Sequence, residues 1–245
     1  MSDRDWRLQT TTEVAEDWKN PWSGQIVPKG TRITVVTVAK LNSKKLITMP
    51  VPNGSAILLS ASRKSYLRAK ELRKKNNIDS SIKKNAEFVT ESEAFDFIED
   101  TIQSIILAFS AIEAFANEVI PEDYQYACFL KNKTTLETVD KKGIESKISL
   151  EEKLDVVIPK VLGVQSLKRD KAWSKFMELK KLRNRIIHMK TEDRKSSGPD
   201  SDTLWHELLK SGNPPKTAFE AIKYFTSKMD APPQWVDYAI SEGVV

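Results

Sequence analysis

The sequence predicts a mainly α protein, an antiparallel bundle of four to five helices carrying a small N-terminal β-hairpin or meander. Three observations predict it. Apolar residues recur every three or four positions through the long segments after residue 90, the spacing of a helix with one buried face. Two S/T-x-x-E capping boxes, Thr90-Glu-Ser-Glu93 and Ser149-Leu-Glu-Glu152, open such segments. Only the stretch around residues 31–49 alternates with period two in β-branched residues.

A chain of 245 residues with 40% hydrophobic and 30% charged residues has the composition of a soluble globular protein, large enough for a sizeable core. The division expected is an arm and β elaboration at 1–60, a helical domain at 61–230 and an extended tail at 231–245. In the first part, Trp6, Trp18 and Trp22 are aromatics suited to docking an irregular arm on the body. Thr31, Ile33, Val35 and Thr37 then alternate with Arg32, Thr34, Val36 and Val38 as a strand. Asn42-Ser-Lys-Lys45 is a turn, Leu46-Ile-Thr-Met49 the returning strand, and Asn53-Gly54 a further turn before the short apolar run 56–59.

A helix is expected at 62–75. It is rich in cations, with Arg63, Lys64, Arg68, Lys70, Arg73, Lys74 and Lys75 around Tyr66. Such a face is either simply solvated or a phosphate-contact surface. The first capping box opens the longest helical pattern, running to about Ile120 and stopped by Pro121. Its core stripe is Ile98, Ile102, Ile105, Phe109, Ile112 and Ala116, while Glu113 and Asn117 fall on a more polar side. The apolar run at 105–120 is too short and too polar to span a bilayer. The second box opens a helix that Pro159 bends or ends near Leu162-Gly163. A motif helix, capped by Asp170, fades after Lys190. A polar loop at 191–203, a short helix at 204–209 and a last long helix at 215–229 follow. Pro232-Pro233 then leads the tail.

The net charge of +5 and pI near 9.1 favour a polyanionic partner such as nucleic acid. A single cysteine, Cys128, leaves no intrachain disulfide, and with two histidines in the chain a Cys/His metal site is not expected. The polar opening residues lack a signal-peptide core, so the cytoplasm is the expected compartment. There is neither a G-x-x-x-x-G-K-[ST] phosphate loop nor a G-x-S-x-G elbow.

Chemistry therefore concentrates on one segment. Leu179, Leu182, Ile186 and Met189 form an apolar stripe, and Asn184 and His188 share another face as an i,i+4 pair. Lys181 and Arg185 lie on or beside that second face, and Arg183 lies between the two. Histidine is the side chain whose ordinary pKa of about 6.5 suits proton transfer at neutral pH. A guanidinium suits a phosphorane-like negative charge. Arg183-Asn184-x-x-x-His188 resembles the R-N-x-x-x-H signature of the HEPN superfamily, and Ser110-Ala-Ile-Glu113-Ala-Phe-Ala-Asn117-Glu118 is similar to the long helix that precedes the motif in many of its members. The resemblance spans roughly residues 90–230.

It implies a HEPN-like bundle and a metal-independent endoribonuclease that leaves a 2′,3′-cyclic phosphate, working as a homodimer with a composite active site. It also implies a toxin–antitoxin or antiviral-defence setting, with an antitoxin or regulatory protein as partner. The site residues expected are Arg183, Asn184 and His188 as catalytic groups, with Glu113, Asn117 and Arg185 supporting. Glu113 is expected to hold Arg183 by an ion pair, and Lys181, Arg68 and Arg73 to bind RNA. No cofactor or metal is called for. Some members of the family do not cut, so an RNA- or protein-binding module is the alternative, and a small-molecule regulator with the β elaboration as a lid is a third reading.

Overall fold

The computed structural model describes residues 5–9, 11–20, 23–82, 85–129, 136–195, 198–241 and 243. It is mainly helical, with small antiparallel β-hairpins at the N-terminus. Trp22 lies outside the described residues.

The N-terminal strands form nested two-stranded ladders. Strand β1 (Thr11–Glu13) pairs with β4 (Arg32–Thr34), and β2 (Trp18–Lys19) pairs with β3 (Ile26–Val27) inside that loop. Strand β5 (Val36–Asn42) pairs with β6 (Lys45–Pro50) in the expected turn-and-return arrangement, with Val38 opposite Thr48. The expected continuous strand through residues 31–38 is broken at Val35, because its first half pairs backward to β1 and its second half forward to β6. Every residue of β5 and β6 is exposed.

Helix α1 (Gly54–Lys75) begins eight residues earlier than the cationic run implied. Asn53, expected in a turn, is instead its buried N-cap: its Oδ1 accepts from the Ala56 N–H at 2.9 Å, and its Nδ2 donates to Glu118 at 2.8 Å. The short apolar run at 56–59 is thus a first helical turn, with Ala56 and Leu59 wholly buried. The helix ends where Asn77 takes a left-handed φ of 52°, a conformation that asparagine tolerates, and the Ile78 N–H closes onto the Arg73 carbonyl.

Helix α2 (Glu91–Val119) returns antiparallel to α1, pinned by Ser62 to Ser104, Arg68 to Asp100 and Lys75 to Glu93. Thr90 caps it by accepting from the Glu93 N–H. By length and composition α2 is apolar enough to cross a membrane. Its apolar side chains serve the core instead. Beyond the expected stripe, Phe97, Ala108, Ala111 and Phe115 are also buried, because α1 covers one side and later helices cover another.

Strands β7 (Tyr126–Phe129) and β8 (Leu136–Val139) pair antiparallel beside a secondary core of Ile120, Ile144, Ile148 and Val157. Helix α3 (Lys141–Lys147) follows, then α4 (Leu150–Glu152), a π-helical turn at Lys153–Val157, and α5 (Ile158–Leu162), which ends at left-handed Gly163. Helix α6 (Ala172–Ile187), α7 (Leu204–Leu209) and α8 (Pro214–Thr226) complete the main core around α2. Phe109 stacks near Phe176, and Phe115 near Phe225. The expected extended tail contains α9 (Gln234–Ser241), whose Trp235, Val236 and Ala239 are buried, with Trp235 beside Trp6 of the arm.

Candidate functional site at the end of helix α6

Lys171, not the expected Asp170, is the N-cap of α6, though the Asp170 carboxylate accepts from the Ala172 N–H at 2.8 Å beside it. Phe176, Leu179 and Ile186 then fix the helix on the core, with Leu182 partly buried. The helix ends at Ile187. His188 is its C-cap, with φ −117° and ψ 60°, although its N–H still reaches the Asn184 carbonyl at 2.9 Å. The expected continuous Asn184–His188 face therefore breaks at the histidine, which is exposed at the helix end, as is Met189.

The break has a cause in Asp193. Residues 191–203 were expected to be a loop, but their first part is a 3-10 turn, Thr191–Arg194, whose Asp193 is buried. One carboxylate oxygen accepts from the Lys190 N–H at 2.7 Å, and the other from the Leu204 N–H at 2.9 Å and Arg185 Nη2 at 2.6 Å. The chain folds back to make these bonds and cannot continue the helix. Burial works against ionisation of Asp193, but the Leu204 N–H, the Arg185 guanidinium and the Lys190 N–H together hold its carboxyl down at about 2. Arg185, expected beside Asn184 on an open face, is accordingly buried and committed to Asp193.

Arg183 is placed differently. The expected ion pair with Glu113 is not formed. Its guanidinium carbon lies 5.1 Å from the centre of the Phe109 ring, a cation–π contact with α2, and its Nη1 donates to Asn184 Oδ1 at 3.1 Å. Glu113 lies one turn beyond Phe109 and acts electrostatically on Lys153 instead. Lys153 is fully buried at the start of the π turn, donating to Asn117 Oδ1 at 2.9 Å and to the Glu145 carbonyl at 3.1 Å. Burial lowers its pKa, and Glu113 and Glu145 partly counter that shift. Asn117 and Glu113 thus support this buried lysine rather than the arginine.

The structure brings Arg183, Asn184 and His188 to one end of α6. Beside that end, a hollow of about 530 Å³ is bordered by Lys190 and Lys195 but also by Glu192 and Asp202, with Ser201 and Thr203. The proposed RNA-contact cations each have a partner in the chain: Arg68 with Asp100, Arg73 with Asp79, and Lys181 with Glu207 at 3.1 Å. The Lys181 and Arg68 side chains remain largely exposed. Among the described residues, no group of three or more His, Cys, Asp or Glu is disposed to hold a metal ion.

Sequence reasoning missed Phe109 as the platform for Arg183, Asp193 as the anchor of Arg185, and Lys153. Phe109 was read only as core. The one sequence signal for Asp193 was an acidic residue at the third position after Lys190, the spacing of a helix-start cap, which gains meaning only once α6 ends early. No family model matches the chain, and neither a curated protein nor a solved structure matches it.

Proposed function

We propose that the chain is a HEPN-type endoribonuclease that cuts RNA without a metal and works as a homodimer. The observation that carries this reading is the contrast between the two arginines of the motif helix. Arg185 is buried in an ion pair, whereas Arg183 lies beside Asn184 with no carboxylate partner among the described residues, on the same helix end as an exposed His188. A cation without a carboxylate partner is what a developing phosphorane charge requires.

In the reaction, a base takes the 2′-hydroxyl proton and the 2′-oxygen attacks phosphorus. The bond to the 5′-oxygen breaks as an acid protonates that leaving oxygen, giving a 2′,3′-cyclic phosphate and a 5′-hydroxyl. His188 serves as one of these groups, and His188 of a second copy as the other, since one imidazole does not readily reach both oxygens. Arg183 neutralises the phosphoryl oxygens, and Asn184 orients Arg183. Lys181 is suited to backbone contacts, because an exposed ion pair contributes little and exchanges readily for phosphate, whereas Arg68 is held by the buried Asp100.

Incubation of the purified chain with tRNA and mRNA in EDTA tests the reading. Cleavage that survives EDTA and is lost in both His188→Ala and Arg183→Ala is the expected result, and strict dependence on Mg²⁺ would sink it. A second reading, a non-cutting RNA- or protein-binding module, is favoured by the β5–β6 hairpin. Val36, Val38, Leu46 and Met49 are exposed there, and an isolated two-stranded hairpin is marginal in water. RNA binding without cutting, unchanged in His188→Ala, would support that module.

A further inference from the structure

A cleft with no lining residue from α6 opens where α1, the first half of α2 and the α7–α8 connection meet. Its volume is about 340 Å³, within the range of small-molecule sites. Its floor is apolar and well covered: Ala69, Phe97 and Leu208 are all buried. Tyr66 adds a second aromatic side chain to the wall.

The mouth is cationic. Lys70 comes from α1 and Lys210 from the residue after α7, on opposite walls, and neither forms an ion pair among the described residues. The third cation, Arg73, has a different role. It is paired with Asp79, donates to the Leu209 carbonyl at 2.7 Å, and lies over the Phe97 ring at 5.8 Å. It therefore ties one wall to the other and holds the cleft open in a fixed shape, with its charge neutralised by Asp79. Two positive charges without an ion-pair partner among the described residues are left, with Tyr66 as the accessible aromatic wall.

We propose that this cleft binds a small anion built on a flat apolar ring, the ring lying against Tyr66 and the anionic group meeting Lys70 and Lys210. The pairing follows from placement. The apolar part gains by leaving water at the floor, and the anion stays at the partly hydrated mouth, where a charge-assisted hydrogen bond forms without full desolvation. A cation would meet like charge, and a fully polar anion would leave the floor without a partner. An aryl carboxylate and a nucleoside phosphate share this chemistry.

The test uses the full chain and the aromatic sulfonate 1-anilinonaphthalene-8-sulfonate as the probe. A saturable one-to-one fluorescence rise is expected, displaced by salicylate if the site takes carboxylates or by AMP if it takes phosphates, and by inorganic phosphate only far more weakly. The double variant Lys70→Glu/Lys210→Glu should weaken probe binding by about tenfold or more, the loss of two charge-assisted contacts. Gly212 borders the cleft, a Cβ added there meets nothing within 4 Å, and its φ is not left-handed, so Gly212→Phe should fold and obstruct the mouth. A control pair on the hairpin, Lys40→Glu/Lys44→Glu, makes the same change of charge and should bind as wild type. The proposal is overturned by non-saturable binding, by displacement with neither organic anion, by phosphate competing as well as AMP, or by wild-type affinity in both cleft variants. None of these readouts depends on RNA cleavage.

Discussion

Arg183 and Arg185 stand two positions apart on α6, and their surroundings give them opposite work. Arg185 and Asp193 are a buried pair in which each partner compensates the other's lost hydration, so truncating either leaves a buried charge unpaired. Arg183 lies over a ring face and bonds a neighbouring amide, with no carboxylate partner among the described residues. Arg185→Ala is therefore expected to lower the melting temperature by several degrees, while Arg183→Ala melts close to wild type and loses RNA cleavage by about 100-fold or more, the scale of a lost transition-state charge contact. Thermal melts and cleavage rates on the same two preparations check the contrast, and equal destabilisation of both would contradict it. The pH dependence has a definite sign. The Asp193 carboxyl titrates near 2 in the folded chain and near its ordinary value of about 3.9 when unfolded, so the unfolded state binds the proton first as pH falls. Its contribution is complete above pH about 4 and is lost on acidification towards about 2. The margin in melting temperature between wild type and Asp193→Asn should shrink across that window and stay constant from pH 5 to 7.

At the scale of elements, helices announced by their own residues were legible, and helices fixed by distant residues were not. Thr90 and Ser149 cap where their spacing says, because a cap is a bond between residues three apart. The start of α1 was read eight residues late because Asn53-Gly54 has the composition of a turn, and what selects the helical reading is Glu118, sixty-five positions away, accepting from the Asn53 amide. Asn53→Ala should cost about 1 kcal/mol for the cap alone. It should cost more than an exposed cap of the same type, because the bond from the buried Asn53 amide to Glu118 goes with it, and Thr90→Ala is the comparison for denaturant midpoints. The π turn has its own signature. Lys153 is buried with its pKa lowered, so unfolding lets it bind a proton more tightly and stability should rise as pH climbs towards the ordinary lysine value. Lys153→Met should remove that rise on the approach to the ordinary lysine value in urea melts, and an unchanged slope would show that the ammonium is not buried as described.

Across the whole molecule, the Arg183-Asn184-x-x-x-His188 pattern stands out in the sequence because the chain holds only two histidines. The surroundings of those residues do not, since Phe109, Asp193 and Lys153 act through contacts between elements that no local pattern encodes. The same view makes the second copy a requirement of the proposed reaction rather than an addition to it. His188 is exposed at the helix end, and the chain's other histidine, His206, is hydrogen-bonded to Thr203 at the start of α7. If each cleft needs two His188 side chains, one inactive protomer should silence both. Wild type mixed with an equal amount of His188→Ala, after exchange through mild denaturant, should retain about a quarter of the activity of the same total amount of wild type, from random pairing of a two-fold dimer. Independent protomers would retain about half. Light scattering on the mixture confirms that pairs have re-formed, and a value near one half with dimers present would remove the composite cleft while leaving Arg183 and His188 as a single-chain site.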